Sequence, residues 1–472
     1  MRRTKIVCTI GPISRPKPML RRLVQAGMDV ARLNMSHGSH EQHAEVVSHL
    51  RSISQELGKT VGILADLQGP KFRLGDLECG SYGLRNGQQF LLTASPKPGA
   101  IDEIPLPHPD LISACKPGQM LLLDDGRVRL EVERKTARGL LVSPQRGSVL
   151  SSRKGVSAPG VGMNLPSLTP KDVEDLRFAL TQGVDWIAVS FVRRARDMDA
   201  ARDIMQEMSI FRPLVAKIEK AEALADISNI LDRTDGIMVA RGDLGVETPL
   251  YDVPFEQKQL VRKCNVAGKP AIVATQMLES MITNPMPTRA EVADIATAII
   301  DGADAVMLSG ETAVGVNAVE CVRVMKRVAE NADSYMTPLG VDPIFGGTSA
   351  QAHVVARSAV QMAVDIRAKA ILCATTSGST ARLIAKYRPN CPIYAITPAE
   401  QTLATLALTW GVRPLLIDPV SSTDEMMHAS LKAVLEAGLL RDGQTVVLTA
   451  GVPVNVKGNT NLVRVHRIGD PL

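Results

Sequence analysis

Lys217 and Glu219 stand two residues apart at the end of the apolar run Pro213-Leu214-Val215-Ala216. On an extended strand that spacing points both side chains to one side. Arg241 with Asp243, and Arg32 with Asn34 and Ser36, repeat the arrangement at the ends of two other apolar runs. Further runs end in Thr9, in Asp66, in Ser190, in Thr275 with Gln276, and in Ser309 with Glu311. Unrelated salt bridges at loop edges are the plain alternative, but so many convergent polar ends favour one pocket. Two carboxylates, Glu219 and Asp243, without Cys or His beside them suit a hard, oxygen-preferring cation, Mg²⁺ or Mn²⁺. With Lys217 next to one carboxylate and Arg32 and Arg241 near, the site suits a substrate with a phosphate and a carboxylate, or a developing enolate. No Ser/His/Asp or Cys/His arrangement stands out, so a nucleophilic triad is not expected.

Something must bring these ends together. Eight strand candidates fall at 5–10, 28–36, 61–67, 186–192, 213–219, 236–243, 270–276 and 305–311, with helical patterns at 40–57, 171–182, 194–208 and 288–300. Eight such units predict an α/β fold, a (β/α)₈ TIM barrel, whose active site lies at the C-terminal ends of its strands. A doubly wound open sheet is the rival, less favoured by eight well-separated units. Between 71 and 158 helical periodicity gives way to short strand-like runs between turns, which predicts an inserted small β-barrel lid domain. The barrel then comprises 1–70 and 159–337, a Gly/Pro-containing linker covers 337–347, and a C-terminal α/β regulatory domain fills 348–472.

Composition excludes several classes. The 472 residues are 45% hydrophobic and 22% charged with net charge +5, a globular balance that tolerates small anionic ligands. Aromatics are 3% and no Lys/Arg cluster appears, so nucleic acid is not an expected partner. No apolar run reaches membrane-spanning length, and the N-terminus leads straight into a strand without a signal peptide. Seven cysteines without paired spacing read as free thiols in a reducing cytoplasm, Cys8 being a core residue.

The motifs resemble the pyruvate kinase family over almost the whole chain. They are Thr4-Lys5-Ile6-Val7-Cys8-Thr9-Ile10-Gly11-Pro12, Arg32-Leu33-Asn34-Met35-Ser36-His37-Gly38, Lys217-Ile218-Glu219, Met238-Val239-Ala240-Arg241-Gly242-Asp243-Leu244-Gly245, Ala274-Thr275-Gln276-Met277-Leu278-Glu279-Ser280-Met281 and Asn284-Pro285-Met286-Pro287-Thr288-Arg289-Ala290-Glu291, in family order. The resemblance implies a bacterial-type enzyme without the extra C-terminal domain of some relatives. It would transfer phosphoryl from phosphoenolpyruvate to ADP, giving pyruvate and ATP. By resemblance, Lys217 stabilises the transferring phosphoryl group and the enolate oxygen, and Glu219 and Asp243 hold Mg²⁺. Gly242, Asp243 and Thr275 hold the pyruvyl end, and Arg32 takes the phosphoryl group. Arg73 and Lys154 face the nucleotide phosphates, with Asn34 and His37 on the nucleotide side; His37 has the alternative role of holding loop backbone. A water near Thr275 would relay the proton to the enolate carbon. The lid would exclude water from phosphoryl transfer. Lys154-Gly155-Val156 resembles its end and Leu123-Asp124-Asp125-Gly126 its inner turn, Asp125 being equally a plain turn residue. Ser157 and Ala158 depart from the family's usual Asn and Leu.

A second departure concerns the monovalent cation. Asn34, Ser36 and Asp66 match a K⁺ pocket of many relatives, but the run here is Asp66-Leu67-Gln68-Gly69-Pro70-Lys71. Leu67 offers no side-chain oxygen, and Lys71 brings a tethered ammonium where the family often has a carboxylate. Activity without K⁺ is therefore expected. In the third region Thr375-Thr376-Ser377-Gly378-Ser379-Thr380 precedes a helical pattern, a plausible phosphate cradle or an ordinary helix cap. By resemblance this loop and 451–461 hold an allosteric sugar phosphate or nucleotide, and the protein is a homotetramer. A Mg²⁺-dependent lyase or aldolase, and a non-catalytic effector-binding protein, are the alternatives. The nucleotide-facing Arg73 and Lys154 argue against the first, the intact Lys217, Glu219, Asp243 and Thr275 against the second.

Overall fold

A computed structural model describes residues 2–85, 87–95, 97–124, 126–147, 149–161, 166–336, 350–453 and 460–471. The linker at 337–347, Asp125 and most of the 451–461 loop lie outside them. Eight short, apolar, wholly or largely buried runs form the barrel: Lys5–Ile10, Val30–Asn34, Gly62–Asp66, Trp186–Val189, Leu214–Ile218, Gly236–Ala240, Ala271–Ala274 and Ala305–Leu308. Every neighbouring pair is parallel, and Lys5 opposite Ala305 closes the ring. Alternate residues serve two cores, as strand periodicity requires. Ile6, Cys8, Ile63 and Val239 pack outward against the helices, whereas Val7, Leu64, Val215 and Met238 fill the interior.

The interior is plugged from the N-terminal end of the strands. Ala407 and Leu408, from the C-terminal region, join the inner core. Gly62 starts the third strand, and a Cβ there would lie 3.1 Å from Ala404 O and 3.3 Å from Ala407 Cβ. Only the opposite end is left for chemistry. The C-terminal region is itself a five-stranded sheet in the order Val412–Leu416, Ile393–Thr397, Ala370–Ala374, Thr445–Gly451, Thr460–Arg467, parallel except for its last strand.

One buried arginine fastens it to the barrel. Arg388 pairs with Asp304 at 3.0 Å and donates to Asn265 Oδ1 and Gly302 O, each at 2.6 Å. Its guanidinium lies 4.7 Å from the Trp410 ring centroid. Arg388→Met would leave the buried Asp304 without a counter-charge, held only by the Ala271 N–H at 3.0 Å, so a loss of about 3–5 kcal/mol is expected. Urea unfolding would measure it, and a loss under about 1 kcal/mol would show that the pair does not fasten the two parts.

The insertion between the third and fourth barrel strands is a curled, mostly antiparallel sheet. Its order is Phe72–Arg73, Gly155–Ser157, Met120–Leu123, Val128–Thr136, Gly139–Arg146, Phe90–Thr93, Glu103–Pro105. A separate core, including Leu92, Leu121, Leu130 and Val142, supports it. It also holds the helix Pro109–Ala114, too short to show a period in sequence.

All the expected strands except 5–10 end one to three residues early. The runs 236–243 and 305–311 turn into helices Arg241–Glu247 and Gly310–Ala313 directly after the apolar stretch. On a helix, side chains two apart diverge by about 200°, so Arg241 and Asp243 do not project together.

Candidate active site

The charged cluster spans the second to fifth strands. Lys217 Nζ donates to Ser190 Oγ at 2.7 Å and pairs with Glu219 Oε1 at 3.0 Å and Asp66 Oδ1 at 3.3 Å. Asp66 Oδ2 accepts from Arg32 Nε at 2.6 Å, and Arg32 Nη1 reaches Thr9 Oγ1 at 2.9 Å. Glu219 Oε2 accepts the Phe191 N–H at 2.8 Å. Burial alone would lower the pKa of Lys217, but Asp66 and Glu219 outweigh it and hold the ammonium above the ordinary lysine range. Burial pushes Asp66 up, yet Lys217 and Arg32 keep it below the usual carboxylate range. Glu219 goes the other way: burial raises it more than Lys217 lowers it, and the charge of Asp243 adds to the rise.

A buried carboxylate that feels a second carboxylate is the donor set a divalent cation relieves. Among the described residues no group of three His, Cys, Asp or Glu could hold a metal. The two carboxylates Glu219 and Asp243 fit Mg²⁺ or Mn²⁺, which take the rest of their shell from substrate and water. Asp243 meanwhile has Lys71 Nζ 3.1 Å from its Oδ1, so the tethered ammonium reaches this carboxylate.

Thr275 and Gln276 carry φ of +70° and +55°. For a β-branched residue this is a strained conformation costing about 1–3 kcal/mol. Arg241 braces the turn: Nη2 donates to Thr275 O at 2.6 Å and Gln276 O at 3.2 Å, while Nη1 is anchored on Asp294 at 2.6 and 2.8 Å. Thr275 Oγ1 accepts from Gly242 N at 2.9 Å, tying the two loops. Arg241 is thus not one of the cations around the metal carboxylates. Glu311 is likewise structural, accepting from Leu278 N at 3.0 Å and Ser309 N at 2.7 Å. Arg241 and Ser190 were visible as polar strand ends, but their partners are set by loop geometry that spacing does not encode.

Two openings flank the cluster. A cleft of about 990 Å³ lies between the inserted sheet and strands six to eight, lined by Lys71, Gly242, Asp243 and Thr275. A cavity of about 400 Å³ opens beside strands one and two, lined by Thr9, Pro12, Asn34, His37 and Val46. Asn34 Oδ1 accepts the Ser36 N–H at 3.2 Å, and His43 holds His37 O at 2.9 Å. The inserted sheet brings Arg73, which is exposed with Nη1 on Arg153 O at 3.2 Å, and Lys154, paired with Asp124 at 2.8 Å.

In the C-terminal region Thr375–Thr380 runs from the strand Ala370–Ala374 into the helix Ser379–Lys386. Gly378 has φ +79°, and a Cβ there would meet Arg382 Nη1 at 2.9 Å. Thr376 and Ser377 line a cavity of about 670 Å³ against the barrel with Arg202, Arg212, Lys269 and Arg382. Thr375 and Thr380 face inward, Thr375 Oγ1 accepting Gly378 N at 2.9 Å and Thr380 bonding Thr460 at 2.8 Å. Ser379 Oγ accepts from Ser377 Oγ at 3.1 Å.

A closed parallel barrel with a buried lysine among carboxylates at the C-terminal rim, covered by an inserted sheet, defines a barrel enzyme of the metal-assisted, anion-handling kind. Residues 1–322 match the family described as pyruvate kinase, barrel domain, and residues 353–466 the pyruvate kinase alpha/beta domain. The chain is 44% identical to the pyruvate kinase of Geobacillus stearothermophilus over 477 residues, covering all of this chain and 81% of that protein. It is 45% identical to that of Agrobacterium vitis over 479 residues, 99% of each. The chain belongs to the pyruvate kinase family and is a phosphotransferase of glycolysis that acts on phosphoenolpyruvate and ADP with a divalent metal. No helix among the described residues is long and apolar enough to cross a membrane.

Proposed function

We propose that the cluster around Lys217 is the phosphoryl-transfer site. The observation that carries this reading is the Lys217 ammonium held between Asp66, Glu219 and Ser190. Glu219 and Asp243 hold the divalent cation, which supplies charge neutralisation and substrate orientation. Arg32, fixed side-on by Asp66, presents a guanidinium to the phosphoryl group. Gly242, Asp243 and Thr275 orient the pyruvyl carboxylate. Asn34 and His37 line the smaller cavity and take the nucleotide, with Arg73 and Lys154 on its phosphates; the apolar Pro12 and Val46 in its wall suit a base. Lid closure excludes water, and a water held by Thr275 carries the proton to carbon. ADP-dependent pyruvate formation from phosphoenolpyruvate and Mg²⁺ in a coupled assay tests the reading; ADP-independent pyruvate release would favour a lyase.

Activity is independent of K⁺. The support is Leu67, buried and without a side-chain oxygen, and the Lys71 ammonium beside Asp243. Rates in tetramethylammonium and in K⁺ buffers are expected to agree within about twofold, whereas Lys71→Glu should make K⁺ stimulate by about tenfold or more. A wild-type rate that collapses without K⁺ would refute this.

The loop Thr375–Thr380 binds a phosphorylated allosteric effector, a sugar phosphate or nucleotide. Four basic side chains around the adjoining cavity support it. Ser377→Asp should abolish activation by whichever compound activates the wild type; retained activation would place the effector elsewhere. The protein is a cytoplasmic homotetramer. Seven free cysteines fit a reducing compartment, and Leu250, Tyr251 and Phe255, each more than two-thirds exposed, suit a buried subunit interface. Sedimentation equilibrium giving a monomer would sink the tetramer.

A further inference from the structure

The lid carries a charge arrangement that its own fold does not explain. On the antiparallel strands Val128–Thr136 and Gly139–Arg146, Arg129 and Arg146 are direct cross-strand partners. Like charges directly opposite one another destabilise a sheet. Arg129 stands exposed between the buried Val128 and Leu130, so its side chain leaves the lid core for the opposite face. Among the described residues neither arginine has an ion-pair or hydrogen-bond partner. The next acid on that face, Glu131, is taken by Gln145 Nε2 at 2.9 Å. Arg127 adds a third guanidinium, only 4.0 Å from an Asp124 oxygen whose carboxylate already pairs with Lys154 at 2.8 Å.

All three arginines line the cleft of about 990 Å³ whose other wall is Lys71, Gly242, Asp243 and Thr275. The cavity assigned to the nucleotide is a different one, beside the first two strands. We infer that Arg129 and Arg146 form a capture site on the inner face of the lid for the phosphate and carboxylate of phosphoenolpyruvate. The inference rests on reading this cleft as the phosphoenolpyruvate side. Two forked guanidinium groups suit two planar or tetrahedral oxyanions on one small molecule. The charged side chains on the lid wall of this cleft, Arg127, Arg129 and Arg146, are all cationic and face Asp243, Glu279 and Glu311 on the barrel wall; a wall of one sign raises the local concentration and the encounter rate of an anionic ligand. The pair binds substrate without taking part in the chemical step, so it acts on kcat/KM and not on kcat.

The test is Arg129→Ser/Arg146→Ser, assayed for pyruvate formation over a range of tetramethylammonium chloride. KM for phosphoenolpyruvate is expected to rise about tenfold, with kcat and KM for ADP within about twofold of wild type. The fall of log kcat/KM with ionic strength should flatten, because the steering charges are gone. Arg129→Lys/Arg146→Lys should restore the salt slope, which a merely structural role would not predict. Arg146→Gln, at the end of its strand, repeats the test with half the charge removed, should the double variant fold poorly. An unchanged phosphoenolpyruvate KM and salt slope would overturn the inference, as would an effect confined to ADP. A wild-type enzyme with no ADP-dependent turnover would instead overturn the reading of the cleft itself.

Discussion

Lys217→Met is expected to lower kcat by about a thousandfold in a protein that still folds. The reason lies in how the ammonium is held. Ser190, Asp66 and Glu219 fix it from three sides, so its charge needs no reorganisation when negative charge develops on the phosphoryl and enolate oxygens. Arg32 does not replace it, because its Nε is committed to Asp66 and its Nη1 to Thr9. Methionine keeps most of the hydrocarbon stem. Asp66 retains Arg32, and Glu219 retains the Phe191 N–H at 2.8 Å. Asp66 keeps a counter-charge while Glu219 keeps only that N–H, so a loss of about 3 kcal/mol is expected, which is a few degrees of melting temperature in a chain of this length. Steady-state kinetics and a thermal melt on one preparation would separate the two effects. A kcat within about tenfold of wild type would remove Lys217 from the chemical step.

What could be read from the chain beforehand follows from what is local. An apolar run that turns polar within two residues marks a barrel strand and its functional end together, because burial and chemistry sit at opposite ends of one element. The pairing of Arg32 with Asp66 follows from topology, since their strands are neighbours. Arg241 and Asp243 failed for the same local reason. Ala240-Arg241-Gly242-Asp243-Leu244 alternates like a strand, and Gly242 and the following Gly245 argue against a helix, yet burying Leu244 in the outer core selects one. Contacts between distant segments leave no trace in spacing. Lys71 and Asp243 are 172 residues apart and meet only because the insertion folds back over the rim. Arg129 and Arg146 face each other through a register that is shifted between Pro144 and Arg146, and alternation along either strand does not reveal that.

Arg241→Met should lower kcat by about a hundredfold without touching a reacting atom. Thr275 and Gln276 occupy left-handed backbone that their side chains disfavour, and the turn persists because the surroundings insist on it. The insistence comes largely from Arg241 Nη2 on the two carbonyls, with Asp294 holding the guanidinium from behind. Without it the turn is free to relax, and Thr275 Oγ1 loses its place 2.9 Å from Gly242 N. Thr275 and Gly242, proposed with Asp243 to orient the pyruvyl end, then shift together, and displacements of about 1 Å at a reacting centre cost rates of that order. Asp294 is more than one-third exposed, so water takes over its charge and the stability loss stays moderate. Arg241→Lys offers one ammonium for three acceptors and should recover part of the rate, because its donors cannot span Asp294 and both carbonyls. Kinetics of the two variants, with Mg²⁺ titrated in each, would check this. A kcat loss below about threefold in Arg241→Met, or Lys behaving no better than Met, would mean that the turn holds its shape by other contacts.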